Sequence, residues 1–252
     1  MKFTKHPILK APAPGEIKKL CFNDDGSSKP EGLKALVELH RMHEDAVANA
    51  DADPLNFGVS LKGWVYADEM LEKYDTLMIF GGNRSSKTEY GARSVVKAAL
   101  ENPKSIIVCF AQDADASIRT QQSAVYRYLP PEFKVKTKGV LEYLNYTVKN
   151  GFTGQSFILP NGSQVLFHTY SQFIANRSKF EGLELGSKSP EWHNIGLWPD
   201  EYLEDGDLIR TMRFRLATRD AKMMLTFTPI DGYTPFVAEF LKGAETRKTR
   251  KA

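Results

Sequence analysis

Two glycines followed five residues later by Lys-Thr is a spacing that handles phosphate. The stretch is Gly81-Gly82-Asn83-Arg84-Ser85-Ser86-Lys87-Thr88-Glu89. The template for a phosphate-binding loop is G-x-x-x-x-G-K-[ST]; Gly81, Lys87 and Thr88 fall on it, and Ser86 stands where the second glycine is expected. Backbone N–H groups of such a loop turn inward and cradle phosphate oxygens, and the positive end of the following helix adds to the field. Lys87 would contact the β- and γ-phosphates of a nucleotide, and the Thr88 hydroxyl would hold Mg²⁺. A second stretch, Ile195-Gly196-Leu197-Trp198-Pro199-Asp200-Glu201, delivers two carboxylates at the end of an apolar run. They suit two tasks: Asp200 to hold the metal and Glu201 to orient and activate the attacking water. Each stretch also has a plain explanation, a glycine-bearing turn in the first case and a strand leaving into an acidic loop (Glu204, Asp205, Asp207) in the second. Their order, and the strand and helix around the first, favour the chemical one.

A third stretch is Leu225-Thr226-Phe227-Thr228-Pro229. Thr226 and Thr228 would sit beside the γ-phosphate and report its presence to neighbouring elements. Taken alone, the residues are better explained by β-propensity and strand termination. His40 and His43, three apart on a helical stretch, lack the carboxylate or cysteine cluster that a metal site wants, so a surface pair is expected.

These residues need a scaffold, and the hydrophobic pattern supplies one. From Thr76 onward strand and helix signals alternate, which argues a parallel α/β sheet flanked by helices. Strands are expected at Thr76–Phe80, Ser105–Phe110, Asn194–Trp198 and Met223–Thr228. Helices are expected at Leu61–Tyr74, Lys87–Leu100, Asp113–Tyr128 (stopped by Pro130-Pro131), Leu203–Leu216 and Thr234–Leu241. Asn161-Gly162, between Gln155–Pro160 and Ser163–Tyr170, signals a hairpin closed by a type I′ turn, so an antiparallel element is inserted in the sheet or added at its edge. Lys134–Asn150 is ambiguous, and Ser171–His193 reads as loops with a short helix. Ahead of the sheet, residues 1–60 form a Pro- and charge-rich arm, a helix over Pro30–Ala50, and a loop over Asp51–Ser60. Residues 61–242 carry the phosphate-loop domain and 243–252 a basic tail.

The 252 residues are 42% hydrophobic and 26% charged, the composition of an ordinary globular protein. A net charge of +3 does not by itself demand nucleic acid. Cys21 and Cys109 suggest no disulfide framework, no run reaches membrane-spanning length, and no signal-peptide pattern opens the chain. A soluble protein of a reducing compartment is expected.

The three stretches in this order, with Ile158-Leu159-Pro160-Asn161-Gly162-Ser163 before the acidic pair, resemble the ATPase domain of the large terminase subunit, the DNA-packaging motor of tailed bacteriophages. The resemblance spans about residues 60 to 240. It implies a RecA-like (ASCE) phosphate-loop fold that hydrolyses ATP with Mg²⁺ and drives double-stranded DNA into a procapsid. It also implies a ring of subunits, a portal protein and a small terminase subunit as partners, and the host cell cytoplasm as location. The loop residues Gly81 to Glu89 would bind nucleotide, Thr88 and Asp200 the metal, and Thr226 and Thr228 would couple. Arg84, inside the loop, and Arg177, before the acidic pair, are the positions for a catalytic arginine alongside Glu201, with Arg213 and Arg215 competing with Arg177.

Three features depart from the family pattern. Ser86 replaces a glycine; a Cβ there crowds the phosphate approach, and if the position needs a positive φ it costs on the order of 1–2 kcal/mol. No glutamine precedes Gln112 to read adenine, which leaves Asn56, Trp64 or Tyr66 for the base. No nuclease domain is expected before Ala252. Two other readings stand beside the motor: a DNA-binding module that binds nucleotide but hydrolyses it weakly, and a helicase or recombination ATPase. The loop Ser171–Ser189, with Arg177, Lys179 and Lys188, the hairpin and the tail are the stretches expected to face a DNA backbone.

Overall fold

The computed structural model describes residues 18, 19, 21–134, 144–201, 206–228 and 235–249, the last five by their backbone alone. Most of the N-terminal arm, Leu141 and Tyr143, Glu204 and Asp205, Pro229 and the tip of the basic tail lie outside the described residues. The chain divides into two compact units, Met1–Ser60 with Pro130–Glu132, and Leu61–Leu129 with Phe133–Ala252.

In the first unit, α1 (Pro30–Ala52) starts with proline, whose fixed φ suits a first helical turn. The expected loop from Asp51 is partly helical. α1 continues to Ala52, and α2 (Pro54–Phe57) follows, because the Asp53 carboxylate accepts the Asn56 N–H at 3.2 Å and caps a new turn. His40 pairs with Glu44 at 3.4 Å on the exposed face of α1.

The second unit is a six-stranded sheet with helices on both faces. Its elements run α3 (Lys62–Lys73), β1 (Thr76–Phe80), α4 (Lys87–Glu101), β2 (Ile106–Ala111), and a composite α5 made of Ala114–Ala116, the π-helical Ser117–Gln122 and Ser123–Tyr128. β3 (Tyr146–Thr147), within the ambiguous stretch, forms a small antiparallel pair with β4 (Gly151–Phe152) just beyond it. Then come β5 (Ser156–Ile158), β6 (Gln164–Thr169), α6 (Tyr170–Ala175), β7 (Ile195–Pro199), α7 (Asp207–Ala217), β8 (Lys222–Phe227) and α8 (Pro235–Thr249). The strand order is β1-β8-β7-β2-β6-β5, parallel throughout except for the β5–β6 pair at one edge.

Both faces of the central strands are covered, which is why β2 and β7 read as unbroken apolar runs. One face packs Val108, Phe110, Leu197, Met223 and Leu225 against Leu208, Ile209, Met212 and Leu216 of α7 and against Phe173 and Phe180. The other face receives α4. Gly91 is required there, because a Cβ on it would lie 2.2 Å from the Trp198 ring.

The β5–β6 connection differs from the expected type I′ turn. Five residues, 159–163, separate the strands, and only Gly162 of the Asn-Gly pair has a positive φ (81°). Asn161 serves another element: its side-chain amide donates to the Ala99 and Leu100 carbonyls at 2.8 and 3.0 Å, capping the end of α4. A loop that also caps a helix needs more residues than a two-residue turn provides.

Candidate nucleotide site

The chain leaves β1 at Phe80 and enters α4 at Lys87 through the loop 81–86. At Gly81 a Cβ would meet the Ser85 Oγ at 2.4 Å, so a side chain there would need the serine hydroxyl to turn away. Two non-glycine loop residues are left-handed, Arg84 at φ 62° and Ser86 at φ 60°, and Ser86 is the N-cap of α4. The position where the template has glycine therefore takes the conformation that glycine tolerates best. A side chain there costs on the order of 1–2 kcal/mol. Ser86→Gly is expected to stabilise the protein by about 1 kcal/mol, somewhat less than the full strain because glycine frees the unfolded chain. A denaturant midpoint that falls on this substitution would show the serine to be unstrained.

Asn83, Arg84, Ser85, Ser86, Lys87, Thr88, Glu89 and Glu201 line one cleft of about 240 Å³. Lys87 is buried, and its ammonium donates to the Gly81 and Gly82 carbonyls at 2.9 and 3.0 Å and to Ser85 Oγ at 3.3 Å. It thus rests on the loop that a phosphate would fill. Glu89, in the first turn of α4, pairs with Arg127 of α5. The Tyr128 hydroxyl also meets Glu89, and burial together with that carboxylate pushes its pKa up to about 12.

Asp200 stands behind the cleft and meets it through Thr88. It is 4% exposed, at the end of β7, and its carboxylate accepts the Thr88 hydroxyl at 3.1 and 3.3 Å. Thr226 donates to the same carboxylate at 2.5 Å. The direction of that bond is set from behind: the Trp198 indole N–H can only donate, and it donates to Thr226 Oγ at 2.7 Å. Desolvation pushes the Asp200 carboxyl up to about 6, with Glu201 adding to the rise and the Thr226 and Thr88 hydroxyls and Lys87 opposing it. Glu201 follows at φ 65°, a left-handed residue whose Oε1 accepts the Thr228 hydroxyl at 3.1 Å.

The structure thus brings the loop, Thr88, Asp200, Glu201, Thr226 and Thr228 into one connected site. Thr226 reaches it through Asp200 and Thr228 through Glu201. Arg84 lines the cleft; Arg177 does not. Arg177 lies in the 3₁₀ turn Arg177–Phe180, 2.9 Å from Asp207 and with its guanidinium 5.6 Å from the Phe173 ring centre. Arg213 and Arg215 sit on α7 and are not among the lining residues either. Trp64, expected as a possible base reader, is a core residue against Tyr90, with ring centres 6.1 Å apart, whereas Tyr66 is exposed.

Sequence reasoning missed Tyr170. Its hydroxyl donates to the Asp200 carbonyl at 2.9 Å and lies 3.3 Å from the Glu201 carbonyl. The available signal was its place just past the end of β6, since ligands of such sheets gather where strands end.

A mostly parallel sheet, a glycine-bearing loop at the end of β1 and two acids at the end of β7 define a RecA-like phosphate-loop fold. The chain belongs to the large terminase subunits: the family model described as terminase large subunit, T4likevirus-type, N-terminal, matches residues 78–252. Membership assigns it to viral DNA packaging. No curated protein matches the chain. Among the described residues no helix is long and apolar enough to cross a membrane.

Proposed function

We propose that the chain is the Mg²⁺-dependent ATPase of a bacteriophage DNA-packaging motor, coupling ATP hydrolysis to translocation of double-stranded DNA. The observation that carries this reading is the Thr88 hydroxyl against the buried Asp200 carboxylate, with Lys87 and Glu201 lining the same cleft. That donor set fits Mg²⁺, which takes one or two carboxylates and completes its shell with water and substrate phosphates. When bound, the metal would neutralise charge developing on the phosphates. Thr88 and Asp200 would hold it. Lys87 would exchange the Gly81 and Gly82 carbonyls for phosphate oxygens, the loop N–H groups would orient the phosphates, and Glu201 would position the attacking water and take its proton. Arg84, which lines the cleft, would meet the γ-phosphate from within the chain. A ring of subunits at a portal protein, with a small terminase subunit and double-stranded DNA as partners in the host cytoplasm, completes the reading.

A second reading, nucleotide binding with slow turnover, is favoured by the left-handed Ser86, which lines the cleft where the template has glycine. An ATP-analogue titration with Mg²⁺ comes first. Replacing Lys87 with alanine removes charge-assisted hydrogen bonds and is expected to raise the Kd about 10- to 100-fold. Binding that ignores Lys87→Ala would reject the loop assignment, and no binding even in an assembled ring would reject the motor. Tight binding without turnover in that assembly would favour the second reading.

A further inference from the structure

Glu201 adopts a conformation that a glutamate does not choose unaided. Its φ of 65° lies in the left-handed region, where a Cβ is strained. Four backbone contacts keep the acidic pair there. The Asp200 N–H donates to the Phe110 carbonyl and the Glu201 N–H to the Thr226 carbonyl, both at 2.8 Å. The two remaining groups, the Asp200 and Glu201 carbonyls, face one phenol, that of Tyr170, at 2.9 and 3.3 Å. A phenol has one proton, so it bonds chiefly to the nearer carbonyl and is shared with the other. The ring is itself fixed: it stacks on Phe110, with centres 6.2 Å apart and planes 14° apart. Tyr170 is also the first residue of α6, whose N-cap Thr169 forms a capping box with Gln172. The hydroxyl therefore has little freedom to leave.

We infer that Tyr170 is a positioning residue for hydrolysis: its hydroxyl holds the Asp200-Glu201 backbone in the left-handed turn that aims the Glu201 carboxylate into the cleft. The inference rests on the ATPase reading above and adds a residue from the end of β6 to it. Tyr170 acts through Glu201 and touches neither phosphate nor metal.

Tyr170→Phe in the full chain is the test, because phenylalanine keeps the stack on Phe110 and deletes only the hydroxyl. The expected result is a kcat at least about tenfold lower, with KM and ATP-analogue affinity within about twofold of wild type. A residue that merely filled the core would leave kcat intact and change only the melting temperature. The crystal structure of the variant supplies a readout independent of turnover: Glu201 is expected to leave the left-handed region. A kcat within twofold of wild type, or a Glu201 that stays near φ 60° without the hydroxyl, overturns the inference. A wild-type protein that does not hydrolyse ATP defeats the ATPase reading instead, and the backbone of the variant still decides whether Tyr170 holds the turn.

Discussion

Glu201→Gln is expected to cut ATP turnover by about 100-fold or more, while ATP-analogue affinity stays within a few-fold of wild type. The substitution keeps the shape of the side chain. The amide oxygen can still accept the Thr228 hydroxyl that now meets Glu201 Oε1 at 3.1 Å, and the backbone bonds around the turn are untouched. What is lost is an anionic acceptor for the proton of the attacking water. Binding should survive because the groups that hold phosphate belong to the loop and to Lys87. The check is phosphate release with DNA and portal protein present, set beside an analogue titration on the same preparation. Equal turnover in wild type and variant would mean that another group activates water. A parallel loss of binding would mean that Glu201 supports the loop and has no catalytic task of its own.

The parts of the site that were legible in the sequence are those whose partners lie close along the chain. Strand, glycine turn, lysine and helix follow one another within residues 76–101, so local pattern suffices to group them. β2 and β7 were legible because burial on both faces leaves an unbroken apolar run, and the order of motifs linked β7 to the loop although Thr88 and Asp200 are 112 residues apart. Elements set by distant contacts were not legible. The role of Asn161 depends on carbonyls of α4, 61 and 62 residues away, and a two-residue turn was the better local inference. Arg177 has the right residue type before the acidic pair, but Asp207 and the Phe173 ring fix it elsewhere. Tyr170 was read as the end of a strand, because nothing local shows that two carbonyls 30 and 31 residues on will face its hydroxyl. The strain at Ser86 was legible as a conditional: a template glycine predicts a left-handed residue there, and the backbone has one.

The second large effect concerns stability and function moving in opposite directions. Asp200→Asn is expected to abolish Mg²⁺-dependent turnover and to raise the stability of the metal-free protein at neutral pH by on the order of 1–3 kcal/mol, a rise of several degrees in Tm. The physical source is desolvation. Asp200 is 4% exposed, and burial outweighs the Thr226 and Thr88 hydrogen bonds, so its carboxyl rises from 3.8 to about 6. A carboxyl whose folded pKa lies above its unfolded value binds more protons when folded. Its contribution to stability is therefore fully present below about pH 4 and is lost as pH rises through about 6. Asparagine has no charge to desolvate and can still accept the Thr226 hydroxyl. The stability difference between Asp200→Asn and wild type should thus be small at pH 4, grow through the window from 3.8 to about 6, and level off above it. Thermal melts in EDTA across that range measure it. Adding Mg²⁺ with an ATP analogue should then raise the Tm of wild type more than that of Asp200→Asn, since a divalent cation supplies the countercharge that the buried carboxylate lacks. An asparagine variant less stable than wild type at pH 7 would show that the hydroxyl bonds dominate over desolvation. A pair of melting curves with the same response to Mg²⁺ would remove Asp200 from the metal site. If both expectations hold, the acid at the end of β7 is kept at a cost to the empty protein because the loaded one needs its charge.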